Sequence, residues 1–176
     1  MPLVWFDNTI VTPHEGLQVL TKMPDPELHG SDIYAVMTFN HGCWATDSSM
    51  AELYSSIPLI NVAPRFVPKL WTYLDPVLID DDGFGATDAA IDLVWRDSDR
   101  ALPREMTAIV GEFNCEGGSV FAVITFACGE WVTDSCVAEI YFAEGLMDLQ
   151  EEKKPIRWAY LHDEDIVLHE LVRLSA

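Results

Sequence analysis

The chain has 176 residues, nearly half of them apolar and including eight Phe, six Trp and five Tyr, which is a folding composition and not that of a disordered acidic tail. Twenty-nine acids against ten bases give a formal charge of -19, which repels phosphates and anionic lipid heads over a Debye length of about 8 Å and argues against direct nucleic-acid or membrane binding. No apolar run reaches the roughly 18 residues that span a bilayer, the opening PLVWFDNTIV lacks a basic leader, and four cysteines without scaffold spacing fit reduced thiols, so a cytoplasmic setting is expected.

Taken in chain order, the sequence is written twice. LVWFD at 3–7 and Pro13 return as LVWRD at 93–97 and Pro103, an offset of 90. LQVLTKM (17–23) and TAIVGEF (107–113) are β-prone. IYAVMTF (33–39) and VFAVITF (120–126) are apolar over seven residues, too short for helices and rich in branched and aromatic types, so each predicts a central strand covered on both faces. Turns at Asn40–Gly42 and Ala127–Gly129 then reverse the chain into CWATD and EWVTD, predicting a hairpin in each half. Across residues 33–54 and 120–141, twelve of 22 positions are identical at an offset of 87. The segments after these hairpins differ: one carries prolines at 58, 64 and 68, the other is charged. KLWTYL (69–74) and IRWAYL (156–161) predict a last strand in each copy. IDDDGFGATDAA (79–90) reads as a joining loop, and the tail DEDIVLHELVRL fits a helix or a further strand.

The six tryptophans fall into matched pairs: Trp5 with Trp95, Trp44 with Trp131, Trp71 with Trp158. Large indoles at repeated positions are expected to form cores, with a ligand-stacking cage as the rival reading. The expected architecture is mainly β, with α+β as the alternative: two tandem units, residues 1–86 and 87–176, each an antiparallel sheet of about four strands, packed into one body. A half-length unit buries only roughly 60 to 65% of its unfolded surface, so neither is expected to be sturdy alone.

The order of Trp, then Thr-Pro or Leu-Pro eight residues on, then an apolar strand, a strand carrying G-x-W (Gly42–Trp44, Gly129–Trp131) and a terminal W-x-x-L (Trp71–Leu74, Trp158–Leu161) resembles the domain-of-unknown-function 551 family, small domains frequent in bacteriophage and prophage proteins. The chain departs from that pattern in its WTYLDP and WAYLHD endings, where the family has a W-M-P-L-P-like run. The resemblance implies a phage or mobile-element protein acting in a bacterial host cytoplasm, and implies no chemistry.

The duplication offers a control, because a site inherited with the unit should recur. Metal ligands do not: Cys43 matches Glu130, Cys128 matches His41, Cys136 matches Ser49, and no C-x-x-C or H-E-x-x-H spacing exists. His41, Cys43 and Cys128 could meet at a zinc ion only if the halves packed about an axis through their turns; otherwise they are turn residues and free thiols. DDDG at 80–83 fails as an EF-hand loop, since taking Gly83 as position six puts Leu78 first and Ala89 last. Asp47 with Glu52 and Asp134 with Glu139 do recur beside Thr46/Thr133 and Ser48/Ser135. They suit an acid and a base, or Asx turns and caps repeated with the geometry. There is no nucleophile elbow, phosphate loop or dinucleotide fingerprint, His162 and His169 have no copies, and Lys153, Lys154 and Arg157 are too few to attract DNA.

The sequence therefore points to a non-enzymatic acidic binding protein without cofactor or metal. Its carboxylates would occupy the Lys/Arg surface of a basic nucleic-acid-handling host defence protein, such as a CRISPR effector or restriction enzyme, as a nucleic-acid mimic. Charge selects Asp80, Asp81, Asp82, Asp163, Glu164 and Asp165 as contact residues. The alternative is a small-ligand-binding or hydrolytic module with its site between the two units; an accessory domain of a phage particle is a third reading.

Overall fold

The computed structural model describes residues 2–25, 30–45, 53, 62, 66–75, 85–134, 137, 140, 149 and 153–162. Its strands are β1 (Leu3–Asp7), β2 (Val19–Pro24), β3 (Asp32–Asn40), β4 (Cys43–Ala45), β5 (Leu70–Tyr73), β6 (Ala86–Ile91), β7 (Arg96–Asp97), β8 (Ala108–Cys115), β9 (Gly118–Ala127), β10 (Glu130–Thr133) and β11 (Arg157–Tyr160). They form two antiparallel sheets, one ordered β4-β3-β2-β5-β1-β6 and the other β10-β9-β8-β11-β7. Removing β6 leaves the same order twice: the duplication in the sequence is a duplication of topology.

Local chemistry explains why both copies fold alike. The β3–β4 and β9–β10 hairpins each close on two residues at positive φ, His41 and Gly42 in one copy, Cys128 and Gly129 in the other. That is the mark of the type I′ turn, whose twist matches the strands it joins. The Trp71 indole donates to the Val11 carbonyl and the Trp158 indole to the Ala101 carbonyl, both at 2.9 Å. The Tyr73 hydroxyl accepts the His14 amide and the Tyr160 hydroxyl accepts the Arg104 amide. These bonds tie the loop after the first strand of each unit to its last strand, which lies between the first and second strands of that unit. Asp7 accepts the Thr9 amide at 2.7 Å and Asp97 the Asp99 amide at 2.8 Å, an Asx turn at the end of each first strand.

The interior is largely common to both units. One buried cluster runs from Leu3, Trp5, Leu20 and Val36 through Ile109, Val123, Ile124 and Trp158. A smaller cluster on the first sheet holds Phe6, Val19, Trp71 and Tyr73. Trp5, Trp71 and Trp158 are buried, whereas Trp44, Trp95 and Trp131 are partly exposed. Strand β3 packs against β9, and the Gln18 side-chain carbonyl accepts the Phe121 amide across the junction at 3.0 Å.

The sheets hold six and five strands, more than the about four expected per unit, for two reasons. The segments LVWFD and LVWRD supply strands of their own, β1 and β7. The joining segment, expected to be a loop over 79–90, is a strand from Ala86 onward: β6 pairs with β1 at Leu3↔Ile91 and Val4↔Ala90, and Ile91 is buried. ATDAAI has little β propensity of its own, but the open edge of β1 offers it a ladder, and pairing outweighs propensity. β3 and β9 are covered on both faces as expected, though each lies one strand from a sheet edge, not at the centre. Among the described residues no helix is long and apolar enough to cross a membrane.

Candidate functional site

The acids selected from the sequence, Asp80, Asp81, Asp82, Asp163, Glu164 and Asp165, lie outside the described residues, as do Thr46, Asp47, Ser48, Glu52, Ser135, Glu139 and His169. Of the recurring carboxylates, Asp134 accepts the Thr125 hydroxyl from the adjoining strand at 3.0 Å, a structural anchor. His41, Cys43 and Cys128 are exposed, and the His41 amide donates to the Glu15 carboxylate. No group of three potential metal ligands gathers among the described residues. Lys154 pairs with Asp99, and Arg157 with Glu112.

A cleft of about 470 Å³ lies at the junction of the units. Leu3, Leu74 and Asp75 line it from the first unit, and Leu93, Trp95, Glu112, Ser119, Phe121 and Arg157 from the second. Glu112 and Arg157 face each other across neighbouring strands, β8 and β11. Glu112 is 7% exposed. Its carboxylate accepts the Arg157 Nε–H and, at 2.6 Å, the Ser119 hydroxyl. The Arg157 guanidinium lies 4.5 Å from the centroid of the Trp95 ring, and Trp95 in turn packs on Phe121 at 6.0 Å. A buried carboxylate is tolerated here because a cation and a hydroxyl both bond to it.

The repeat places an equivalent set in the first unit. Trp5 packs on Tyr34 at 6.1 Å, as Trp95 does on Phe121. The chemistry around that pair is exchanged: Lys22 stands where Glu112 stands, Leu70 where Arg157 does, and Asp32 where Ser119 does. Lys22 bonds Asp32 at 2.9 Å and lies 5.7 Å from the Tyr34 centroid. Burial works against the Lys22 charge, but Asp32 and Tyr34 together outweigh it and hold the ammonium's pKa above its ordinary value.

The second residue after the last strand reaches across to the opposite unit in both copies. In the first unit's set it is His162 of the second unit, whose imidazole meets the Tyr34 ring edge-on at 5.1 Å. In the second unit's set it is Asp75 of the first unit, an exposed carboxylate in the cleft wall. The reciprocity makes the junction pseudo-twofold: an aromatic pair closed over by an imidazole on one side, and the same pair left open on the other.

Sequence reasoning offered a site between the units only as its alternative and missed these residues, because it treated recurrence as the signature of a site. The residues that give the cleft its chemistry are those at which the copies disagree. Comparison of the chain with protein-family models, with curated proteins and with solved structures finds no match.

Proposed function

We propose that the chain is a non-enzymatic binding protein that docks onto a basic protein surface. The observation that carries this reading is an imbalance of charge that the fold leaves on the outside. Bases are scarce and several are held at home: Lys22 by Asp32, Lys154 by Asp99, Arg157 by Glu112, with Arg100 lying 3.7 Å from Asp97. Exposed Glu15, Asp75, Asp88, Asp92, Glu105, Glu116 and Glu130 are spread over both units. A surface so biased, on a chain of net charge -19, speeds encounter with Lys- and Arg-rich proteins and repels their nucleic-acid ligands. The partner best suited to it is a nucleic-acid-handling protein whose phosphate-binding surface would be occluded; the charge, taken with the phage or mobile-element setting that the family resemblance implies, favours a host defence effector.

Affinity purification from a bacterial lysate, followed by mass spectrometry, is expected to recover such a protein, in a complex that weakens steeply between about 50 and 200 mM salt. Recovery of no basic partner, or a complex indifferent to salt, overturns the reading. A second reading, a small-ligand module, is favoured by one observation, the junction cleft; a thermal-shift screen against small molecules tests it.

A further inference from the structure

We infer that the outer edge of the second sheet, at Asp92–Arg96, is a dimerisation surface to which a second copy of this chain adds antiparallel, about a twofold axis through Val94. The two copies of one segment differ in a way that points there. In the first unit the outer edge of LVWFD is laddered by β6, with Leu3 opposite Ile91 and Val4 opposite Ala90, and both Leu3 and Trp5 are buried. In the second unit β7 ends its sheet, and its inner neighbour β11 pairs only with Arg96 and Asp97. Leu93, Val94 and Trp95 repeat the residues of β1, yet among the described residues no strand pairs with them. Leu93 and Trp95 are partly exposed, and Val94 is 43% exposed. Unpaired amides and carbonyls beside exposed apolar side chains are a template for a further strand.

Charge selects the occupant. The run Asp92-Leu93-Val94-Trp95-Arg96 complements itself when two copies lie antiparallel. Centred on Val94, the pairing sets Asp92 opposite the partner's Arg96 and Leu93 opposite the partner's Trp95, each twice by symmetry, with Val94 facing the partner's Val94. Strand alternation puts Asp92, Val94 and Arg96 on one face and Leu93 and Trp95 on the other, so each pair meets on a single face and each is of a stabilising kind. Charges on an edge ordinarily ward off a second strand, but this register makes them attract. Arg96 is held at the edge by the Trp158 and Tyr160 rings, whose centroids lie 5.7 and 6.0 Å from its guanidinium. The first unit lacks the pattern: Pro2 and Phe6 stand where Asp92 and Arg96 do. The outer edge of β6 offers acids alone, Asp88 and the following Asp92, so two such edges repel. Pairing about a twofold closes at two copies.

This inference does not rest on the docking reading, and salt separates the two. Two bodies of charge -19 repel over a Debye length, so the dimer is expected to tighten about threefold or more between about 50 and 500 mM salt, where a complex with a basic protein weakens. Sedimentation equilibrium of the full chain, from micromolar to millimolar concentration, should show monomer and dimer. Hydrogen exchange at the Leu93, Val94 and Trp95 amides should be fast in the monomer and slowed in the dimer. Asp92 is exposed, so Asp92→Arg keeps the fold, which a melting curve checks, and weakens the dimer about tenfold by setting two like-charged pairs across the axis. Under mild oxidation Val94→Cys is expected to crosslink through residue 94 above the background of the exposed Cys43 and Cys128, whereas Asp88→Cys, on β6, is not. A chain that is monomeric at every concentration and salt, or that assembles beyond a dimer, overturns the inference. So does slow exchange at Leu93 and Val94 already in the monomer, which would mean that the chain covers its own edge. An Asp92→Arg variant that dimerises as the native chain does, or a crosslink through residue 88 in place of 94, overturns it equally.

Discussion

Trp5 and Trp95 occupy the same place in the two copies, yet Trp5 is sealed at 3% exposure under Tyr34, while Trp95 borders an open cleft. The difference does not come from the indoles or their aromatic partners, which pack at nearly the same distance and tilt. It comes from the ring around them, where Lys22, Asp32, Leu70 and His162 on one side become Glu112, Ser119, Arg157 and Asp75 on the other. Duplication supplied two similar frames, and a handful of exchanges accompany an aromatic pair that is buried in one and borders a cleft in the other. The scaffold tolerates this because each frame is fixed by bonds outside the exchanged ring: the indole of the last strand to a loop carbonyl, the tyrosine hydroxyl to a loop amide, the two-residue hairpin turns.

The largest test of that account removes the shared support. Trp158 is fully buried in the main core, whereas Trp71 belongs to the smaller cluster with Phe6, Val19 and Tyr73. Trp158→Ala is expected to cost about 3 to 5 kcal/mol, enough to unfold a marginal domain, and Trp71→Ala less, because fewer buried neighbours lose contact with the indole in the smaller cluster. Urea unfolding midpoints of the two variants measure the difference. Equal losses would mean that the two clusters are energetically one.

A smaller effect tests the exchanged ring. Glu112→Lys sets a like charge against Arg157 and strips its partner, at an expected cost of about 2 kcal/mol, reduced from the fully buried case because Arg157 is nearly half exposed. Adding Ser119→Asp and Arg157→Leu rebuilds the set of the first unit and should recover most of that loss. If the triple variant is no more stable than the single one, the two rings are not interchangeable.

A third comparison rests on one backbone angle. Gly16 and Met106 are equivalent and both adopt positive φ, at 79° and 60°, with amides bonded to the carbonyls of Phe39 and Phe126. Met106 is 77% exposed, so its side chain gives back little for the strain. Met106→Gly is expected to stabilise by about 0.5 to 1 kcal/mol, the left-handed penalty less the added entropy of glycine in the unfolded chain, seen as a rise of a few degrees in Tm.

The smallest effect is acidic. The Thr9 hydroxyl and amide hold the Asp7 carboxyl below its ordinary pKa, and Lys154 does the same for Asp99. Their stabilisation is present above the unfolded carboxylate's pKa and is lost as pH falls through the lower, folded values. Thermal melts in acid should show a shallower fall for the Asp7→Asn, Asp99→Asn double variant than for the native chain. Parallel curves would remove these two groups from the account.

Much of the frame was legible in the sequence because it is made of residues that recur: the matched tryptophans, the apolar strands that became β3 and β9, the turns at Gly42 and Gly129. Two features were not. Strand β6 is three alanines, a threonine and an aspartate before a single Ile91, and becomes a strand because β1 leaves an edge for it, a tertiary fact with little local signal. The cleft draws on residues as far apart in the chain as Leu3 and Arg157, and its polar members are positions at which the copies differ. A search for recurrence passes over them. The mismatch of Asp75 with His162, beside otherwise matching W-x-x-L endings, was the one visible clue, and it gains meaning only when each is seen reaching into the opposite unit.

Because β6 comes from the connector, the molecule does not divide where its text appears to. The Asp7 amide donates to the Gly85 carbonyl at 3.0 Å, and Ile91 lies opposite Leu3. Splitting the gene at residue 86 would hand the outermost ribbon of the first half to the second, leaving a raw, adhesive border on one fragment and a stray peptide on the other. Scissors for split reporters or circular permutants belong after Asp92, where the first fragment leaves with its hem sewn.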